Sequence, residues 1–375
     1  MRFLMLNWRD PKNPLSGGAE RVTQAYLAAL VQRGHEVCWF THAYAGAAAE
    51  EIVDGIRYLR SGGNGTSIFN AIQWYRRQPR FDLVIDQHHG LPWYAPMWGR
   101  TPCVAYIHEV LGPIWSVFYR WPLSRIGQVQ ERLTLRAYRR VPFMTPSQST
   151  AAALGALGVQ EVKVIPNGCD TVPLAALSPK PFRAPLRLVA VSRLAGNKRV
   201  DHALRVLRLL LDRGIDAKLS IVGRGEAKPA LLDLCRQLNL TDHVRFTGEV
   251  SEAQKNAELR EAHLLLHTSV REGWGLNVIE ANAMGTPAIV YPVGGLVDST
   301  VHGVTGLVVE AETPEAIVRQ LESLLRDPDR YDRYRLNAWR RAAEFNWNTI
   351  LPQAADWLER KAGPAVSNRS LPHRG

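Results

Sequence analysis

Two α/β domains, each a doubly wound parallel sheet and facing each other across a cleft, are the architecture this sequence predicts. Strand-like apolar runs alternate with amphipathic helical runs along the whole chain, the pattern of parallel α/β units. That alternation stops at a proline-rich break and starts again. Marked polar residues and glycines fall directly after strand-like runs, where open α/β sheets bind ligands. At 375 residues the chain suits two domains of ordinary size.

In the first half, Phe3–Asn7 reads as a strand, followed by a glycine loop and a helix from about Ala19 to Gln32. Glu36–Thr41, Leu83–Asp86, Cys103–Ile107 and Pro142–Thr145 read as further strands with helices between, and Lys163–Ile165 as the last. Prolines at 166, 173, 179, 181 and 185 prevent regular helix and mark a connection. The pattern restarts with a strand at Leu186–Ser192, a helix at Val200–Asp212, a strand at Lys218–Val222 and a helix at Pro229–Leu238. Strands at Val244–Phe246, Leu264–His267, Ala288–Tyr291 and Gly306–Val309 continue it. The expected division is an N-terminal domain over 1–168, a linker over 169–185, a C-terminal domain over 186–345 and a disordered tail over 362–375.

Composition narrows the class. The four cysteines (Cys38, Cys103, Cys169, Cys235) are far apart and form no Cys-x-x-Cys pair, so they read as small buried residues in a reducing compartment. The opening Met1–Arg9 has too short an apolar part for a signal peptide, and no apolar run approaches bilayer-spanning length. A cytoplasmic protein is expected, with a peripheral contact on the inner membrane face left open. The formal charge of +11 is uneven: residues 1–185 carry a net +8 and residues 186–375 a net +3. This favours anionic partners, against the plain reading of solubility.

The most informative stretch runs from Arg271 to Pro287. It places Glu272 in a glycine-flanked turn after a strand, and Glu280 about one turn into the next helix. Gly273 and Gly275 let the backbone approach a ligand closely, and the free N–H groups of a helix start favour a diphosphate. A carboxylate beside an anion site suits a ligand carrying both phosphates and hydroxyls. Arg193 and Lys198 put two cations after another strand, where they suit an anionic ligand better than a solvated helix start. His108, Gly223 and Gly248 also follow strands.

Together these segments resemble the family 4 retaining glycosyltransferases of GT-B fold. The spacing of Glu272 and Glu280 matches the family's Glu-x7-Glu motif, and Arg193 with Lys198 its Arg-x4-Lys signature. Val222–Glu226, Phe246–Gly248 and the glycine loop Ser16–Arg21 match further segments in order. The resemblance runs from Met1 to about Trp357 and implies that a final helix, about 346–361, packs back on the N-terminal domain. It implies catalytic roles for Glu272, His108, Arg193 and Lys198. It implies donor binding by Gly17, Gly18, Arg193, Lys198, Gly223, Val250 and Lys255, and by Glu272, Gly273, Trp274, Gly275, Leu276, Asn277 and Glu280. The expected activity is retaining transfer of a hexose-type sugar from a nucleotide diphosphate donor to a glycan, lipid-linked saccharide or small molecule, with no metal or other cofactor. A nucleotide-sugar 2-epimerase of related architecture is the alternative enzyme. A basic module for nucleic acid or lipid explains the charge but leaves the cleft residues without a task, so nucleic acid is disfavoured.

Three signals take plainer readings. Asp327-Pro-Asp329 reads as a helix-start turn, not a metal motif, and His88-His89 as an acceptor-side loop. Ile114 to Ile126, with Arg132, Arg136, Arg139 and Arg140 beyond, mixes aromatic rings with arginines. It suits either an anionic membrane surface or a helical pair packed on the domain with its arginines in water.

Overall fold

A computed structural model describes residues 1–63, 65–112 and 114–363. The tail expected at 362–375 lies outside these residues from 364 onward.

The chain builds two sheets. The first contains β1 (Arg2–Leu6), β2 (Glu36–Thr41), β3 (Glu50–Val53), β4 (Ile56–Arg60), β5 (Leu83–His88), β6 (Cys103–Ile107), β7 (Phe143–Thr145) and β8 (Val162–Val164). Their order is β3-β4-β2-β1-β5-β6-β7-β8, parallel throughout except for the antiparallel β3–β4 pair. The second contains β9 (Leu186–Val191), β10 (Ala217–Val222), β11 (Val244–Gly248), β12 (Leu264–His267), β13 (Ala288–Val290) and β14 (Gly306–Val308). It is wholly parallel, in the order β11-β10-β9-β12-β13-β14. Central strands such as Phe3–Leu6 and Leu264–His267 are buried at every residue, as strands covered on both faces must be.

Helices cover the sheets with apolar stripes at helical spacing. Helix Gly18–Gln32 buries Val22, Tyr26, Leu27 and Leu30, and its first turn is capped by the Glu20 carboxylate, which accepts the Gly17 N–H at 2.7 Å. In both sheets the strand order reverses beside the first strand, between β1 and β5 and between β9 and β12. These switch points open a crevice at the strands' carboxyl ends.

From Ile165 to Pro185 the chain forms no helix or strand. It is held where it passes between the domains: the Cys169 N–H donates to Phe345 O at 2.8 Å, and the Trp347 ring fills the space beside Gly168. Helix Trp347–Ala362 packs on helix Gly18–Gln32 and inserts Ile350, Ala354, Trp357 and Leu358 into the N-terminal core.

One expectation needs correction. The span between Thr41 and Leu83 is not purely helical, because β3 and β4 form a hairpin at the sheet edge. It turns on Asp54 (φ +53°) and Gly55 (φ +76°), the Asp-Gly pair that favours a tight two-residue turn. The strands are rich in charge, so no apolar run announces them. The Asp327 reading stands as a helix start, its carboxylate accepting the Arg330 N–H at 3.1 Å. No described helix is long and apolar enough to cross a membrane.

Candidate active site

The loops at the carboxyl ends of the strands build the site. After β9, the chain passes Arg193 and makes one tight turn, Gly196–Lys198. This loop lies on the loop after β10: Leu194 N–H donates to Arg224 O at 2.8 Å. A Cβ on Gly223 would stand 1.9 Å from Ser192 O, and one on Gly225 2.2 Å from Leu194 O. Gly223 therefore serves first to let two backbones pass and hold the Arg193–Lys198 loop in place.

Glu272 sits in the loop after β12, facing that turn. Lys198 Nζ lies 2.5 Å from Glu272 Oε1, Ser269 Oγ donates to the same oxygen at 2.9 Å, and His267 Nε2 is 3.5 Å away. Burial alone would raise the Glu272 pKa. Lys198, His267 and Ser269 outweigh it and hold the carboxyl below its ordinary range. Burial also pushes the His267 imidazole down to about 4, against the pull of Glu272, so the ring is neutral near pH 7. Lys198 and Glu272 thus form a charged pair.

Gly275 (φ +84°) caps helix Leu276–Ala283, and a Cβ there would meet Leu296 and Ser299 at 2.9 Å. Asn277 Nδ2 donates to Val191 O at 2.6 Å, pinning the helix start to the end of β9. Glu280, on the same helix, is buried and pairs with Lys255 at 2.9 Å. Burial raises the Glu280 pKa even against the Lys255 charge. Val250 is half-buried against the domain core. Trp274 departs from a ligand-facing placement. Its ring is buried in the core, 5.2 Å from Phe345, and its Nε1 has no hydrogen-bond partner among the described residues.

The N-terminal wall is built differently. His108 follows β6, and its Nε2 has no hydrogen-bond partner among the described residues. Burial, with a smaller push from His89, lowers its pKa to about 3 and keeps the imidazole neutral. Next to it, burial first and the Glu272 charge second push Glu109 up to about 7, while Lys198 and Arg271 oppose them. Glu109 Oε2 is also without a partner. His88, by contrast, ends β5 inside the core, 4.6 Å from the Tyr138 ring, and is not part of a loop.

The walls touch. A Cβ on Gly273 would lie 2.7 Å from His108 O. Ser149 Oγ accepts the Gly295 N–H at 2.8 Å, and the Ser149 N–H donates to Asp298 at 3.1 Å. Further along, Gly18, Arg21, Leu276 and Trp347 line a cavity of about 280 Å³ between the domains. Gly17 precedes that helix start, and Arg21 pairs with Asp170 at 2.6 Å.

The structure therefore joins Lys198 with Glu272, Lys255 with Glu280, and Gly273 with His108. Arg193 is exposed and has no carboxylate partner among the described residues. Sequence reasoning missed Glu109, His267, Ser269, Ser149 and Asp298. Glu109 and His267 carried a signal, the first in its place after a strand beside His108 and the second as the end of the strand Leu264–His267. Among the described residues no cluster of three or more His, Cys, Asp or Glu side chains could hold a metal ion.

Two facing Rossmann-like domains, with cations, carboxylates and two helix starts at their switch points, define a GT-B glycosyltransferase. Comparison with known proteins carries this to the family. Residues 180–341 match the model of glycosyl transferases group 1, and residues 16–172 that of glycosyltransferase family 4. An uncharacterized glycosyltransferase of Methanocaldococcus jannaschii is 31% identical over 87% of this chain and 90% of its own length. The glycogen synthase of Mycobacterium tuberculosis is 24% identical over 99% of this chain and 98% of its own. Among solved structures, sucrose-phosphate synthase of Thermosynechococcus elongatus superposes with a TM-score of 0.78 at 20% identity, covering 96% of this chain and 98% of that one. The chain belongs to the family 4 glycosyltransferases.

Proposed function

We propose that this glycosyltransferase moves a hexose-type sugar from a nucleotide diphosphate donor to an acceptor hydroxyl with retention of anomeric configuration. The observation that carries the reading is the Lys198–Glu272 pair at 2.5 Å, set at the switch point of one domain beside a neutral, unpartnered His108 from the other. A diphosphate sugar needs a cation for its leaving group and a carboxylate for its sugar, side by side. A solved structure of Anabaena HepE in complex with UDP-glucose, similar in fold at a TM-score of 0.72 and 19% identity, is consistent with such a donor.

In this reading the donor's diphosphate lies against Arg193, Lys198 and the start of helix Leu276–Ala283. Glu280 accepts hydrogen bonds from the ribose hydroxyls. Glu272 orients the sugar hydroxyls and offsets positive charge at the anomeric carbon. The bond from that carbon to the phosphate oxygen breaks, its electron pair leaving with the nucleoside diphosphate. The acceptor oxygen attacks from the same face, and its proton passes to the departing phosphate oxygen. His108, neutral at working pH, is free to donate or accept one hydrogen bond to the sugar or acceptor. No metal or other cofactor is invoked.

Thermal-shift screening of UDP-, GDP- and ADP-sugars identifies the donor, and NMR of the product's anomeric proton reads the stereochemistry. A stabilising donor and a product of unchanged configuration are expected. No stabilisation by any donor, or an inverted product, overturns the proposal.

A further inference from the structure

Of the nineteen large apolar side chains exposed among the described residues, eight fall within residues 117–133. Exposed apolar residues scattered singly are ordinary, but a cluster is not. Helices Ile114–Phe118 and Leu123–Ala137 form a hairpin there. Its inner side is closed: the Trp115 ring fills the space beside Gly127, where a Cβ would come within 2.3 Å. The buried Glu131 carboxylate accepts the N–H groups of Leu111 (2.7 Å) and Gly112 (2.8 Å) and lies 3.3 Å from Trp115 Nε1.

The outer side is open. Leu123, Ile126, Val129 and Leu133 are all exposed and, at helical spacing, share a stripe roughly 120° wide. Phe118 and Trp121, the latter 80% exposed, extend the stripe at the hairpin's tip. Arg125, Arg132 and Arg136 border it along one edge, and Arg136, Arg139 and Arg140 frame an open concavity of about 420 Å³. Between residues 110 and 140 the only acid is the buried Glu131.

We propose that this hairpin is a docking surface for an anionic lipid bilayer, with Trp121 and Phe118 at headgroup depth, the stripe among the acyl chains and the arginines on lipid phosphates. The charge selects this occupant. A second copy of the chain would set arginine edge against arginine edge. A nucleic acid would engage the arginines and leave the apolar stripe in water. The surface adjoins the cleft: helix Ile114–Phe118 packs on the turn that carries Lys198, and Glu131 holds the loop that follows His108 and Glu109. A docked molecule therefore brings its acceptor-side wall to the membrane.

Vesicle flotation of the full chain tests this, and it needs neither donor nor acceptor, so it is independent of the transfer reaction proposed above. The protein should float with phosphatidylcholine vesicles containing roughly a third phosphatidylglycerol and stay down with pure phosphatidylcholine. Trp121→Ser combined with Leu123→Ser should abolish flotation while leaving the thermal unfolding midpoint unchanged, since both side chains already stand in solvent. Arg132→Glu with Arg136→Glu should weaken partition by roughly tenfold or more at low salt. No flotation of the wild type, or equal flotation of the apolar variant, overturns the proposal. So does an apolar variant that turns a dimer into a monomer where vesicles were never bound.

Discussion

The two walls of the cleft face each other with opposite strategies. The C-terminal wall satisfies its own charges: Glu272 is paired with Lys198 and Ser269, and Glu280 with Lys255. The N-terminal wall leaves His108 Nε2 and Glu109 Oε2 unpartnered and largely desolvated. Buried polar groups without partners are costly, and among the described residues the one carboxyl in that state is Glu109, whereas the orphaned atoms of the C-terminal wall include Asn197 Oδ1, Arg271 Nε and Trp274 Nε1. The difference teaches which half is finished. One wall pairs its carboxylates with lysines, and on the function proposed above the other is completed by its substrate.

The sharpest way to break this contrast is to remove the cation from the finished wall. Lys198→Ala leaves Glu272 buried without its charged partner and, on the proposed mechanism, the leaving phosphate without a cation. Turnover should fall on the order of a thousandfold, with far-UV circular dichroism unchanged. Arg193→Ala, whose side chain is exposed and anchors nothing among the described residues, should lose on the order of a hundredfold in turnover with no loss of stability. Steady-state kinetics on both variants decide the matter. Near-wild-type rates in both would remove the preorganised cation site from the account.

A finer cut separates the two carboxylates of the same wall. On the proposed mechanism, Glu272→Gln should act mainly on kcat, because a charge near the anomeric carbon matters most as that carbon becomes positive. On the proposed donor pose, Glu280→Gln should act mainly on the donor KM, by roughly tenfold, because a ribose contact is equal in ground and transition states. The same defect in both variants would show that the two glutamates share one task.

Much of this wall could be read from the chain. Apolar runs such as Leu264–His267 and the glycines around Glu272 mark a strand, a turn and a helix start by local chemistry alone. The pairing of Lys198 with Glu272 follows because β9 and β12 are neighbours at the switch point. What stayed hidden depends on contacts between distant segments. Ser149 with Gly295 and Asp298 joins residues nearly 150 positions apart, and no local pattern encodes it. Trp274 looked like a ligand residue by its position in the motif, yet its apolar ring is better buried against Phe345 than left in the cleft. The β3–β4 hairpin escaped because its strands at the sheet edge carry charge instead of an apolar run.

The contact between the walls offers the next test. Gly273 adopts no unusual backbone conformation, so Gly273→Ala acts only through its Cβ, which would meet His108 O at 2.7 Å. The two walls must part by several tenths of an ångström to admit it. Stability should drop by about 1 kcal/mol, as for other overpacked contacts. Turnover should fall severalfold because the loops that carry His108 and Glu272 no longer sit at the same spacing. Gly18→Ala, where a Cβ has nothing within 4 Å, is the control that should leave stability unchanged. Limited proteolysis of the linker at 169–185 reads the opening directly: faster cleavage in Gly273→Ala supports a walled cleft, and unchanged cleavage argues that the contact is incidental.

The smallest effect probes the unfinished wall. Glu109 titrates near 7 in the folded chain against an ordinary 4.5, so folding binds its proton more tightly than the unfolded chain does. Below pH 4.5 both states carry that proton and the residue has no electrostatic cost. As pH rises toward 7 the unfolded state has already released its proton, and stability is progressively lost; above 7 the loss is complete. Glu109→Gln removes the ionisation and should raise Tm by about a degree or two at pH 8, with little change at pH 4.5. If the unpartnered carboxyl is kept for the acceptor, the same variant should lose activity, and the activity profile should lose a limb near pH 7. A more stable protein with unchanged activity and an unchanged pH profile would mean that the N-terminal wall leaves Glu109 unsatisfied for no purpose in the reaction. The contrast between the walls would then rest on His108 alone.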